Sequence, residues 1–313
     1  MMRHHAAGSA HGPSHSVCVI VVTHDAGPWL STSLEPLRDV PPGAAVIVVD
    51  NGSRDRTVQL VRERYPQFLL IESKENLGFG RANNLGLEQG IRRGSDYFVL
   101  LNQDATITWS DIHALCDVAD RHPNTGVLSP LHLFSNDCID LMQRRHVLTQ
   151  NTEFIEDLVL GRSWRDVYPV AVTNAAIWLI PKRTLQSVGG FDPIFFHYGE
   201  DTDYCRRVQR AGLVVGLSPQ VRGYHLREQR ETTYLTDTNH RYLQYVLRLK
   251  YTSRSAVHEA LHILGELIGD MLRGRWIRRH GTDRVRALWM LYRRTSEFRE
   301  IRRMAGDFLF LWP

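Results

Sequence analysis

Four apolar runs in the first half of the chain end in polar residues. Thr23-His24-Asp25 follows VCVIVV, Asp50-Asn51-Gly52 follows AAVIVV, Glu72-Ser73 follows FLLI, and Asn102-Gln103-Asp104 follows DYFVLL. Any one of these is ordinary, because loops are polar. Four in succession describe a polar ligand site, since the runs read as buried strands and ligands of open parallel sheets gather at the strands' carboxyl ends. Two more features stand further along. The acid pair Glu200-Asp201 precedes the helix-like TDYCRRVQRAG, and His225 follows VRGY. Taken alone, the acids are explained by helix capping, and a histidine ending a strand is more often structural.

The segment ENLGFGRANNLGLEQG supplies Gly78 and Gly80 as the first two glycines of a GxGxxG pattern, but Asn83 stands where the third belongs. That demotes a nicotinamide oxidoreductase. Glycines and asparagines at a strand-to-helix junction still allow close backbone approach, and the helix end adds positive potential for a phosphate.

These residues need a scaffold, and the apolar periodicity supplies one. Strands are expected at 17–22, 44–50, FLLIES and DYFVLL. Helices are expected from Pro28 through Leu37, after a Ser53 cap with Val58, Leu60 and Val61 inward, and from Phe79 to Ile91. This alternation predicts a mostly parallel α/β sheet with helices on both faces. A helix from Ser110 to Arg121 and a short strand from Gly126 to Ser129 follow. Residues Leu131 to Tyr168 read as a variable insertion lining a cleft. Regular structure resuming at 170–180, a helix after Gly199 and two short strands, LVVGL and VRGYH, complete the unit. Asp203, Arg206, Arg207 and Arg210 read as a solvated helical face. The expected division is a flexible leader at 1–16, a main domain at 17–235 and a basic α-helical region at 236–313.

Composition narrows the class. The chain has 313 residues, 43% hydrophobic and 23% charged, enough for a full core. Cys18, Cys116, Cys138 and Cys205 are scattered without a CxxC pair, so neither a disulfide framework nor a zinc site is expected and a reducing, cytoplasmic location fits best. No apolar window is long enough to span a membrane. The leader histidines His4, His5, His11 and His15 suggest adventitious metal binding at most. The net charge of +4 is uneven: from Arg273 to Arg303 there are 11 arginines against three carboxylates. Interleaved with Trp276, Ile277, Leu288, Trp289, Leu291 and Tyr292, they suit a helix lying on the anionic inner face of the cell membrane. A solvated face or a homodimer contact is the competing reading, and nucleic-acid binding ranks well below both.

The series VIVVTHD, VIVVDNGSRDRT, ENLGFGRANNLGL, LLNQDA, HYGEDTDYCRR and GYH, in that order from about Val17 to His225, resembles the family-2 glycosyltransferases of rhamnosyltransferase type. The resemblance implies the GT-A nucleotide-sugar-binding fold, with a C-terminal α-helical appendage here. By resemblance, Thr23, Asp25 and Asp50 fall where the family holds the donor's base and ribose. Asn76, Gly78, Arg81 and Asn83 lie in its donor-binding turn, and Asn102-Gln103-Asp104 stands at its DxD motif. Asn102 replaces the first Asp of that motif, so Asp104 is left as the carboxylate that binds the divalent metal, with His225 as a further ligand. A diphosphate leaving group suits Mg²⁺ or Mn²⁺, and a nitrogen ligand shifts the preference toward Mn²⁺. Asp201 resembles the family's general base, with Glu200 supporting it or positioning the acceptor.

The resemblance therefore implies an inverting transfer from a nucleotide-diphosphate sugar, dTDP-rhamnose or a UDP-sugar, to a hydroxyl of a glycan, glycolipid or small-molecule acceptor. A catalytically silent nucleotide-sugar-binding module is the main alternative, because Asn102 weakens the DxD signature.

Overall fold

The first strand, β1 (Val17–Thr23), shows why the apolar runs are continuous. Val17, Val19 and Val21 face one core with Leu30, Leu34, Ile112 and Leu115, while Cys18 and Ile20 face another with Ala82, Leu87, Phe98 and Trp178. A strand covered on both faces has no polar side to alternate with. β2 (Ala44–Asn51), β3 (Leu69–Ser73) and β4 (Tyr97–Asn102) join it in parallel, in the order β3-β2-β1-β4. A computed structural model of the chain describes residues 15–135, 138–226, 238–251, 256–272 and residue 289. Of the expected leader, all but residues 15 and 16 lies outside them, as does the Arg-rich tail apart from Trp289.

Helices return the chain between these strands. α1 (Leu30–Leu34) runs into a 3₁₀ turn through Leu37, and α2 spans Thr57–Arg64. Ser53 does not cap α2 as its type suggested. Its hydroxyl donates to Asp50 at 2.5 Å, and the helix starts four residues later. α3 (Phe79–Arg92) lies against β1 closely enough that a Cβ on Gly86 would stand 2.4 Å from Ile20 Cγ2.

Beyond β4 the sheet changes direction. β5 (Ala105–Thr106) is a two-residue strand, α4 (Trp109–Arg121) is capped by the Thr108 hydroxyl, and β6 (Thr125–Ser135) is far longer than expected. The segment expected as an irregular insertion carries β7 (Cys138–Ile139), α5 (Leu141–Gln150), α6 (Thr152–Val159) and β8 (Tyr168–Pro169). Strand structure at the expected 170–180 run is confined to β9 (Ile177–Pro181), antiparallel to β4. α7 (Lys182–Val188) and α8 (Glu200–Arg210) follow. The two short strands expected near 213–225 are one strand, β10 (Val214–His225), whose register against β6 shifts between Ser218 and Arg222. The shift explains why it read as two. The strand order is β3-β2-β1-β4-β9-β6-β10-β5.

The later helices pack on this unit. α9 (Thr238–Tyr251) buries Tyr242, Tyr245, Val246 and Leu249 with Ile194, Phe195 and Ile263, the last from α10 (Ala256–Leu272). The face of α8 expected to be solvated is instead a joint. Asp203 is fully buried, Lys250 of α9 lies 2.5 Å from both Asp192 and Asp203, and Arg206 and Arg210 sit over the Tyr251 ring. Helical periodicity placed these charges on one face, but the partner that covers it comes from about forty residues further on.

Candidate active site

The carboxyl ends of β1, β2 and β4 are knitted together by their own polar residues. Gln103 Oε1 accepts from the His24 amide at 2.7 Å while its Nε2 donates to His24 O, and His24 Nδ1 lies 2.9 Å from Asn51 O. Asn51 reaches the next loop: it accepts from Leu77 N at 2.7 Å and donates to Asn76 Oδ1 at 3.0 Å. Asp25 has φ 48°, a left-handed conformation that Asp tolerates better than most residues, and its Oδ1 accepts from Arg54 N at 2.7 Å. Its carboxylate remains half exposed at the mouth of the site.

The remaining expected donor residues divide into facing and supporting groups. Thr23 and Asp50 are buried and bonded to one another, and Ser53 donates twice more to Asp50, so this carboxylate shapes the turn. Asn83 is buried in α3 and donates to Phe79 O. Arg81 is exposed and donates to Pro193 O through Nε and Nη2. Asn76 orders the turn by accepting from Gly78 N, and Gly78 has φ 83° with Phe196 O so near that a Cβ would stand 2.2 Å from it. That same carbonyl accepts from Phe79 N, the first amide of α3, so part of the positive helix end is already engaged.

Asp104 and His225 meet. β5 pairs with β10 so that Ala105 lies opposite His225, Leu226 N donates to Asp104 O, and Asp104 Oδ1 lies 3.4 Å from His225 Nε2. His225 is buried and Asp104 only partly so. Ligands at adjacent corners of one octahedral ion, each about 2.1 Å from it, stand about 3 Å apart, so this pair fits a divalent cation. Asn102 Oδ1 is buried with no hydrogen-bond partner among the described residues, which suits an acceptor for a metal-bound water or a donor hydroxyl. No three or more His, Cys, Asp or Glu side chains among the described residues are placed to hold a metal ion together, and phosphate or water oxygens would complete a coordination shell on Asp104 and His225.

Asp201 is tied to the same edge by a short backbone relay. Asn102 N donates to Ala176 O at 2.9 Å, and the neighbouring Ala175 N donates to Asp201 Oδ2 at 3.1 Å. β9 begins just after Ala176, so its antiparallel course brings its start to the end of β4. Glu200 is buried; burial, then the adjacent Asp201, hold its carboxyl well above the usual range.

Several residues beyond the expected set border the site. His197 lies in the Phe195–Tyr198 stretch between Gly78 and the acid pair, and burial, then His24, hold its imidazole below the ordinary value. Phe196 and Tyr198 are 49% and 55% exposed there, and Tyr198 has φ 66°, a strained value for a bulky residue. Asp140 reaches His225 from the far side at 3.4 Å, and His132 packs edge-on to the same ring. Asp140 gave no signal, because the segment around it has no clear periodicity.

The fold defines the class. The structure resembles a mannosyltransferase from Pyrobaculum calidifontis solved with GDP-Man and Mn²⁺, with a TM-score of 0.51 and 17% identity over 95% of this chain and 86% of that one. It also resembles S. aureus TarS, with a TM-score of 0.53 and 16% identity over 86% of this chain, which spans 44% of that longer protein. At such identities the likeness concerns the GT-A fold. Residues 18–173 match the family described as Glycosyl transferase family 2, and residues 97–253 match Glycosyl transferase family group 2. The chain belongs to the family-2 glycosyltransferases and is rhamnosyltransferase-like. An N-acetylglucosaminyl-diphospho-decaprenol L-rhamnosyltransferase of Mycobacterium tuberculosis is 29% identical over 233 residues, 66% of this chain and 75% of that protein.

Proposed function

We propose that this glycosyltransferase inverts configuration and depends on a divalent cation, moving a sugar from dTDP-rhamnose or a UDP-sugar to a hydroxyl of a lipid-linked or other glycan acceptor. The observation that carries the reading is the relay from Asn102 through Ala176 and Ala175 to Asp201. It supports the reading by linking a carboxylate suited to a base to the end of β4, two residues before Asp104. The rhamnosyl and lipid-diphosphate terms rest on the names of relatives.

In this mechanism the acceptor hydroxyl attacks the anomeric carbon from the face opposite the diphosphate. Asp201 takes the hydroxyl proton. Glu200 holds its own proton to higher pH and can donate it to an acceptor oxygen. Asp104 and His225 would hold Mn²⁺ or Mg²⁺, which supplies charge neutralisation for the leaving diphosphate. His24, Asp25 and the Asn51–Asn76 pair border the donor side. No helix among the described residues is long and apolar enough to cross a membrane. The charge and interleaved aromatics of the C-terminal sequence suit access to a lipid-linked acceptor by surface contact.

The test is transfer from dTDP-rhamnose and a panel of UDP-sugars with and without Mn²⁺, with the product's anomeric configuration read by NMR. Calorimetry of the donor with the Asp104→Ala variant accompanies it. Cation-dependent transfer with inverted product, and loss of cation-dependent donor binding in the variant, are expected. Retained configuration, or unchanged donor affinity with Mn²⁺ in the variant, would overturn the respective part. Asn102 in place of an Asp favours a second reading, a silent donor-binding module, and donor binding without transfer or hydrolysis would establish it.

A further inference from the structure

His225 is gripped from two sides by carboxylates of different standing. Asp104 Oδ1 lies 3.4 Å from Nε2 and is partly open, whereas Asp140 Oδ2 lies 3.4 Å from Nδ1 and is buried. Asp140 is also the more firmly set of the two. Its Oδ1 accepts from Met142 N at 3.0 Å and Gln143 N at 3.1 Å, capping α5, and its amide donates to His132 O. Gln143 in turn accepts from His132 N and donates to Pro130 O at 2.8 Å, fastening the start of α5 to β6.

A helix cap needs one acceptor oxygen, and Asp140 uses Oδ1 for it. Oδ2 lies 3.4 Å from His225 Nδ1, the ring nitrogen that faces away from Asp104, a close approach of charge outside hydrogen-bond geometry in this structure. A neutral imidazole carries its proton on one nitrogen, and the partner of that nitrogen decides which. Each nitrogen of His225 faces a carboxylate at 3.4 Å, so the cation would decide between them: held at Nε2 beside Asp104, it would leave the proton on Nδ1, where Asp140 can accept it.

We propose that Asp140 is a positioning residue for the donor site: it fixes the tautomer and ring orientation of His225 so that Nε2 is presented, unprotonated, alongside Asp104 as a ligand for the divalent cation of a nucleotide diphosphate. The proposal rests on the cation reading of Asp104 and His225 given above. It assigns a role in the reaction to the segment between β6 and β8.

Asp140→Asn isolates this role. The amide oxygen still caps α5, since Asn caps helices about as well as Asp, but the amide nitrogen now donates toward Nδ1 and forces the proton onto Nε2. Mn²⁺ binding in the presence of dTDP or UDP, followed by EPR, should weaken about 10- to 100-fold, the usual effect of losing a ligand's outer partner. With Mg²⁺ and dTDP or UDP added, the ¹⁵N shifts of His225, assigned with His225→Gln, should show Nδ1–H in the wild-type chain and lose that form in the variant.

Asp104→Ala serves as the control. If it leaves Mn²⁺ binding intact, the cation reading and this proposal fall together. If it abolishes binding while Asp140→Asn binds Mn²⁺ as the wild-type chain does, the proposal alone falls. An Nε2–H tautomer in the wild-type protein with Mg²⁺ and nucleotide bound overturns it without any variant, so misfolding of Asp140→Asn would not shield it.

Discussion

Glu200 and Asp201 are adjacent acids with different surroundings, and in the proposed mechanism those surroundings divide the labour between them. Burial and the charge of Asp201 push the Glu200 carboxyl up. Asp201 is partly open and accepts from the Ala175 amide, a donor that suits a carboxylate. Asp201→Asn keeps size and capping ability, so transfer should fall at least about 100-fold, the lower bound for general-base catalysis, with donor affinity little changed. Steady-state rates at saturating substrates and donor calorimetry check this. Glu200→Gln should lose less, and it has a pH signature. A group whose folded value is raised stabilises the fold below its ordinary range and loses that contribution as pH rises through the folded value. Gln copies the protonated form, so melting curves should show Glu200→Gln gaining on the wild-type chain as pH is raised. The acid pair itself was legible in the sequence, as was Asp104. The asymmetry between the acids was not, because it depends on which side chain the strand edge covers.

At the scale of elements, the same change in two helices should act with opposite sign. Gly86 sits where α3 meets β1, and an added Cβ would stand 2.4 Å from Ile20 Cγ2 and 3.1 Å from Cγ1. Overpacking of this kind costs about 1–3 kcal/mol and exceeds the gain in helix propensity, so Gly86→Ala should melt lower than wild type. Gly265 in α10 has open space around it, and Gly265→Ala should gain roughly 0.5–1 kcal/mol. Thermal denaturation of the two variants tests both signs. The parallel half of the sheet could be read from periodicity, because each strand there is one unbroken apolar run. β10 could not be read as one strand, because its shift in register interrupts the pattern. The span around Asp140 escaped because its order comes from single contacts: Asn151 caps α6, and Tyr168 donates to Asp157.

Across the whole molecule, the question is how the later helices belong to the catalytic unit. Lys250 of α9 lies 2.5 Å from both Asp192 and Asp203, joining the segment before the acid pair to the helix that carries it. Burial pushes the Asp203 carboxyl up, but Arg207, Lys250 and Tyr251 overrule it and hold it below the usual range. A depressed carboxyl contributes stability above its ordinary value and loses it as pH falls, so this joint should weaken in acid. Lys250→Met leaves two buried aspartates short of a cation and should cost about 3–5 kcal/mol, read as a lowered urea midpoint. Beyond the joint, α10 exposes Leu261, Leu264 and Ile268, spaced to share one face, and the chain continues into the Arg-rich stretch. Exposed aliphatics followed by 11 arginines and interleaved aromatics suit a surface that is both anionic and apolar. Each basic residue near such a surface contributes about 1 kcal/mol at moderate salt, and the aliphatics add a component that salt does not screen. Deleting residues 273–313 should therefore lower partition onto phosphatidylglycerol vesicles by at least about tenfold at low salt. Leu261→Ser with Ile268→Ser in the full chain should lower the fraction that stays bound at high salt. Equal partition of the truncated and full-length chains at low salt would remove the membrane-surface contact.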